Sequence, residues 1–233
     1  MTSKKKRRRH SGKPGRTIST TKILIVVATA VVAVALLVIL NSNRSPTVKD
    51  LTYTTGITPE GEPYKGSPEA PLQLEEYSDF LCNHCGNFAD TLGAISSDYV
   101  ETGKVQIIFR NFAFLAPESI QAAQAAECAL DQGPDKFWQY HDLLFANRGT
   151  GLSAYSKARL KAYARQIELD NTTFNKCLDS GAKAEEVQAD LDTGKSQGVQ
   201  STPTWFLNGQ IQVGALPEDE LRQALDAQMP QGS

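Results

Sequence analysis

Eighteen consecutive residues, Ile23 to Leu40, are Ile, Leu, Val or Ala apart from a single Thr. A run this long and this apolar fits a bilayer better than a globular core. At about 1.5 Å of rise per residue it spans roughly 27 Å, close to the hydrocarbon thickness of a membrane. A cleavable secretory signal has a shorter apolar stretch followed by a small-x-small site, whereas Leu40 is followed by Asn41, Ser42, Asn43 and Arg44, so an uncleaved signal anchor is expected. The run Lys4 to Arg9 precedes it, and positive charge stays on the cytoplasmic side. The expected organisation is therefore a basic cytoplasmic tail over 1–22, a single-pass transmembrane helix over 23–40, and an extracytoplasmic remainder.

Charge supports that division. The formal net charge of −2 hides an asymmetry: ten basic residues lie between Lys4 and Arg44, and the chain beyond carries 14 basic against 26 acidic residues, a formal −12. Affinity for nucleic acid comes mainly from neutralising phosphates with Lys and Arg, so no nucleic-acid partner is expected for the body of the protein. Only the basic arm has that capacity, and beside an apolar helix it reads as a topology signal.

Export changes the meaning of four cysteines, because disulfides persist outside the cytoplasm. Cys82 and Cys85 form a C-x-x-C, while Cys128 and Cys177 stand apart. A zinc site would need a second close pair, which neither these cysteines nor His141 provides, and haem attachment would need His where Gly86 stands. No metal and no cofactor are expected. A redox-active pair is favoured over an inert one because a four-residue disulfide ring at a helix start is strained and labile.

Residues 41–66 are rich in Ser, Thr, Pro, Gly and charge without apolar periodicity and read as a linker, with the folded domain over 67–229. Leu72 to Tyr77 reads as a strand. Cys82 opens an apolar-periodic helix through Phe88, Leu92, Ile95 and Tyr99, and Val105, Ile107 and Phe109 alternate as a second strand. From about 117 to 197 the pattern is helical throughout, beginning at Pro117. Thr204–Leu207 and Gln210–Val213 flank Asn208-Gly209, a turn pair suited to a tight hairpin, and Pro217 opens a last helix with Glu218, Asp219 and Glu220 in its first turn.

The C-x-x-C thus falls at a strand-to-helix junction. A helix N-terminus offers unpaired N–H groups and partial positive charge, which favour the thiolate of Cys82, and His84 adds a proton donor or imidazolium beside the sulfur. Cys85, one turn along, can resolve a mixed disulfide formed at Cys82.

The run Gly66-Ser67-Pro68-Glu69-Ala70-Pro71, then Glu76-Tyr77-Ser78-Asp79-Phe80-Leu81-Cys82-Asn83-His84-Cys85, resembles the opening of DsbA-like thioredoxin-fold disulfide oxidoreductases, including membrane-anchored bacterial members. Ala125-Ala126-Glu127-Cys128 and Lys136 to Phe145 resemble the family's helical insertion, and Gly198 to Thr204 its cis-proline loop. The resemblance implies an α/β thioredoxin fold with an all-helical insertion. It implies that Pro203 is the cis-proline facing the sulfurs and that Thr202 contacts substrate. It makes Glu76 the acid beneath the site, moving protons to and from Cys85, and joins Cys128 to Cys177 in a structural disulfide. Taken alone, Pro203 reads equally well as a strand-leading proline, and Glu76 beside Glu75 as strand surface. Trp138, Tyr140 and Trp205 read as packing aromatics. Asn83 departs from the Pro of the best known DsbA, which leaves the strength of the oxidant open.

The expected function is an exported, membrane-anchored enzyme that introduces disulfides into reduced exported proteins. Reoxidation would come from a membrane partner of the DsbB or VKOR type. A reductase or isomerase on the same fold is the rival reading, and a tethered binding or chaperone module with a structural C-x-x-C is the rival of another class.

Overall fold

The computed structural model describes residues 51–149 and 151–230. The expected tail and transmembrane helix, 1–22 and 23–40, lie outside the described residues; among these, no helix is long and apolar enough to cross a membrane. The elements are β1 (Thr55–Ile57), β2 (Pro63–Lys65), β3 (Leu72–Ser78), α1 (Asn83–Ala94), β4 (Val105–Asn111), α2 (Pro117–Leu130), α3 (Pro134–Ala146), α4 (Lys157–Gln166), α5 (Asn171–Ser180), α6 (Ala184–Ser196), β5 (Thr204–Leu207), β6 (Gln210–Val213) and α7 (Glu218–Gln228).

The strands form one sheet in the order β1-β2-β4-β3-β5-β6. β3 and β4 run parallel, joined through α1, and every other pairing is antiparallel. Alternation on β3 assigns its faces. Leu72 and Leu74 are fully buried and pack with Phe88 and Leu92 of α1 and with Ile95 just after it, which places Glu76 on the same face. Tyr77 points to the other face and packs with Phe112, Val199 and Leu191. Burying a Leu or Phe side chain contributes roughly 1.5–3 kcal/mol, so these two aligned apolar faces hold the sheet between its helices.

The helical block lies between β4 and β5, as its sequence period indicates. Ala122, Ala125, Ala126 and Ala129 are buried along α2 and let its neighbours approach closely. α3 lays Phe137, Trp138, His141 and Phe145 against Phe109 and Phe80. α5 begins at Asp170, whose carboxylate accepts the Thr173 N–H at 2.7 Å, and ends at Gly181 with φ +68°. α6 is pinned to β4 by Asp190, which accepts the Asn111 N–H at 3.0 Å and lies 3.5 Å from Arg110. Cys128 of α2 and Cys177 of α5 are disulfide-bonded across 49 positions, with Cα atoms 5.9 Å apart.

Two expectations need correction. The stretch 41–66 is not all linker, since Thr55–Ile57 and Pro63–Lys65 are strands of the sheet. Three-residue strands, here Thr-Gly-Ile and Pro-Tyr-Lys, are too short to show an apolar period. They are held instead by the pairing of β1 with β2 and of β2 with β4, and by the Trp138 indole N–H, which donates to the Tyr64 carbonyl at 3.0 Å. The helix opened at Cys82 ends at Ala94 rather than running through Tyr99, and Ser96–Val100 continue as a wider π-type turn. The Asn208-Gly209 turn has positive φ at both residues (+49° and +81°), as a tight hairpin requires.

The disulfide closes a loop of 49 positions, for which the chain-entropy relation gives about 4 kcal/mol. Replacing Cys128 and Cys177 together by Ser is expected to cost about 2–4 kcal/mol, read as a lower urea midpoint. An unchanged midpoint would show that the reduced unfolded chain is already constrained.

Candidate active site

β3 ends at Ser78 between two neighbouring strands, and the chain must leave the sheet there. The departing loop 79–81 is tied by Asp79. Its fully buried carboxylate accepts the N–H groups of Leu81 (2.8 Å), Phe114 (3.0 Å) and Leu115 (3.1 Å). Its carbonyl accepts the Cys82 N–H at 2.9 Å. Tyr155 braces the same loop from the helical block, donating its hydroxyl to the Phe80 carbonyl at 2.9 Å. Cys82 thereby becomes the N-cap of α1, with extended φ and ψ of −76° and 118°.

Both thiols are free. Cys82 is half-buried and Cys85 completely buried. The Cys82 sulfur lies 3.4 Å from the Thr202 carbonyl, and the Thr202–Pro203 peptide bond is cis. Cys82, Cys85, His84, Glu76, Thr202 and Pro203 are thus assembled from β3, the first turn of α1 and the loop before β5. Cys128 and Cys177 lie elsewhere, between α2 and α5.

The two sulfurs are driven apart in acidity. Hydrogen bonding from the Cys85 thiol is the largest influence on Cys82 and, with Thr202 and the N–H groups of Cys85 and His84, outweighs partial burial to bring its pKa down to about 5. Burial pushes the Cys85 thiol far up, and its bond to Cys82 and the nearby Glu76 carboxylate push it further. A charge on one sulfur therefore belongs to Cys82. His84 is exposed, and its backbone N–H is the group that acts on the Cys82 sulfur.

Glu76 is 1% exposed on the α1 face of β3, and its Oε1 has no hydrogen-bond partner. Burial raises its pKa to about 7, against the opposing pull of Ser78 and Lys65. Lys65 was absent from the sequence reading because β2 was read as linker. It is buried, with Nζ 4.4 Å from the Trp138 ring centroid and 5.5 Å from that of Tyr53. Burial lowers its pKa, while Asp142 and Glu76 favour its charge. Asp79 was also missed as a separate contributor: its identity stood in the motif, but two of its three amide partners, Phe114 and Leu115, come from one distant segment.

Residues 58–227 match the family model described as Thioredoxin. Disulfide bond formation protein D of Bacillus subtilis is 27% identical over 182 residues, covering 73% of this chain and 78% of that protein. A Na(+)/H(+) antiporter, NhaA 1 of Salinispora arenicola, is 31% identical over 171 residues; the match covers 72% of this chain, which spans only 25% of the antiporter's length. Among solved structures, oxidised BdbD from Bacillus subtilis superposes with a TM-score of 0.68 at 26% identity, covering 76% of this chain and 97% of that one. Wolbachia pipientis alpha-DsbA1, at 21% identity and a TM-score of 0.64, shares the fold.

Two outcomes follow from the electrostatics. Alkylation of the reduced protein by iodoacetamide is expected to modify Cys82 with a midpoint near pH 5 and to leave Cys85 untouched at neutral pH. A midpoint near the free-thiol value of about 8.5 would contradict the arrangement. Glu76 has a folded pKa above its unfolded one, so its contribution to stability is complete below about pH 4.5 and is lost as pH rises through about 7. Glu76→Gln is therefore expected to unfold with a flatter pH dependence across that window, by about 3 kcal/mol in total, measured by urea titration at each pH.

Proposed function

The chain belongs to the DsbA-like thioredoxin family of thiol-disulfide oxidoreductases, and we propose that it is an extracytoplasmic dithiol oxidase, held at the membrane by Ile23–Leu40, that passes the Cys82–Cys85 disulfide to reduced exported proteins. The observation that carries this reading is the unequal acidity of the two sulfurs, high at Cys82 and low at Cys85. Stabilising the reduced form makes the disulfide a stronger oxidant, and a sulfur stable as thiolate is the better leaving group.

A substrate thiolate attacks Cys82 Sγ, a mixed disulfide forms, and the Cys82–Cys85 bond breaks. Cys85 leaves with the electron pair and takes a proton, which its raised pKa demands. Glu76, with a pKa of about 7 beneath the site, is suited to supply it. The second substrate thiolate then attacks the substrate sulfur and expels Cys82 as a thiolate. Substrate loses two electrons and the enzyme gains them. Thr202 and Pro203 border the attack position, with the Thr202 backbone facing the sulfur. No cofactor enters this sequence beyond the disulfide itself. Reoxidation requires an electron acceptor, and a membrane partner of the DsbB or VKOR type fits a domain tethered at the bilayer.

The reduction potential of the fragment from Thr47 onward, equilibrated with glutathione buffers, tests the direction. A value nearer about −120 mV than about −270 mV is expected for an oxidase, and the more negative value would favour the reductase reading. Cys82→Ser is expected to abolish exchange. Retained activity in that variant would leave a binding module with a structural C-x-x-C.

A further inference from the structure

Gly86 directly follows the C-x-x-C and occupies the first turn of α1, a position where glycine weakens a helix relative to alanine. The reason for glycine is its neighbour. A Cβ there would lie 2.1 Å from Cδ, 2.4 Å from Nε and 3.0 Å from Cζ of Arg148, so the Arg148 side chain rests directly on the helix backbone. Arg148 comes from the end of α3, 62 positions along the sequence. It is held in two further ways: Nη1 donates to the Phe145 carbonyl at 2.9 Å, and Nη2 pairs with Asp90.

The placement matters because Cys82, Gly86 and Asp90 recur every four residues and share one helix face. The Gly86 N–H donates to the Cys82 carbonyl at 3.1 Å, closing the first turn, and one turn is about 5.4 Å of rise. The guanidinium stem crosses the residue next to Cys82 on that face, while its carboxylate partner stands a turn farther away. Cδ, Nε and Cζ of Arg148 thus lie over the residue one turn from Cys82, on the sulfur's side of Asp90 along the helix. The same charge is felt at Tyr155, the residue that braces Phe80 two positions before Cys82. The other charged or titratable groups around Cys82 are Glu76 from β3, Asp79 from the loop, and His84 and Cys85 on α1 itself.

We propose that Arg148 is a positioning residue for the thiol chemistry: seated on Gly86 and oriented by Asp90, it holds positive charge on the Cys82 face of α1 and favours the Cys82 thiolate. This rests on the reading of Cys82 as the attacking and leaving sulfur, and it deepens that reading by assigning part of its acidity to a residue of the helical block. The device depends on both partners, since any side chain at position 86 displaces the guanidinium.

The test is titration of the Cys82 thiolate by its ultraviolet absorbance in reduced, full-length protein, a readout independent of the physiological direction of exchange. Arg148→Met is expected to raise the midpoint by about 0.5, roughly a threefold loss in the ionisation constant, smaller than the effect of an unpaired contact ion because Asp90 already offsets the charge. Gly86→Ala should shift it the same way, and this variant is safe for folding because alanine suits the helix and the displaced group is a flexible side chain. Asp90→Asn should shift it in the opposite direction, and Arg148→Lys should restore most of the wild-type value. A loss of packing alone would not give opposite signs at Arg148 and Asp90. Equal midpoints in wild type and Arg148→Met, or an upward shift in Asp90→Asn, would overturn the proposal, while failure of the oxidase reading would appear instead as a potential near that of a reductase with the titration pattern intact.

Discussion

The position of β3 inside the sheet is the constraint from which the site follows. It is hydrogen-bonded on both sides, parallel to β4 and antiparallel to β5, so neither its register nor its facing is free to slip. A slip of one residue would turn Leu72 and Leu74 away from α1 and bring Gln73 and Glu75 inside. With the register held, Glu76 must face the underside of α1, opposite Phe109 and Trp205 on its two neighbours. The chain must then leave the sheet after Ser78, which puts Cys82 at a helix start. The acid and the two sulfurs are thus placed by the same apolar alternation that builds the core.

The asymmetry between the sulfurs is a consequence of that placement. At the N-cap, Cys82 meets free N–H groups and the mouth of the loop carrying Thr202 and Pro203; Cys85, one turn in, points down toward Glu76 and the aromatic packing. Burial penalises the charged form and hydrogen-bond donors favour it; donors prevail at Cys82 and burial at Cys85. The pair titrates as a unit, so stabilising a thiolate at Cys82 and a thiol at Cys85 are two descriptions of one preference.

Much of this was legible in the sequence because the relevant patterns are local. The C-x-x-C followed by Phe88 and Leu92, the alternation of Val105, Ile107 and Phe109, the Asn208-Gly209 turn and the helical period beyond Pro117 each state their structure within a few residues. Glu76 and the loop of Thr202 and Pro203 needed the family resemblance, because neither carries a local mark of its partner. β1 and β2 were illegible for a different reason. Strands of three residues show no period, and Lys65 is buried only because Trp138 and Tyr53 come from outside its segment to cover it. The same holds for Asp79, whose partners Phe114 and Leu115 follow β4, and for Arg148, whose partners Gly86 and Asp90 lie on α1. Side chains whose meaning depends on a distant segment cannot be read until the topology is known.

The buried charges near the site also show where the fold departs from the rules that govern the rest of it. Elsewhere, Arg110 meets Glu62, Glu75 and Asp190, and Asn111 donates to Glu127 at 2.7 Å. Glu76 has no such closure, with one carboxylate oxygen unpartnered and Lys65 acting on it only through the field. An apolar residue there would pack β3 against α1 at lower cost, since an unsatisfied buried polar atom costs roughly 1–3 kcal/mol. A carboxyl whose pKa stands near neutrality can hold or release a proton on demand, and the buried thiol beside it must gain and lose one in each cycle. Local rules broken without compensation tend to mark function. Glu76 is such a group, and it lies beneath the sulfur that most needs a proton.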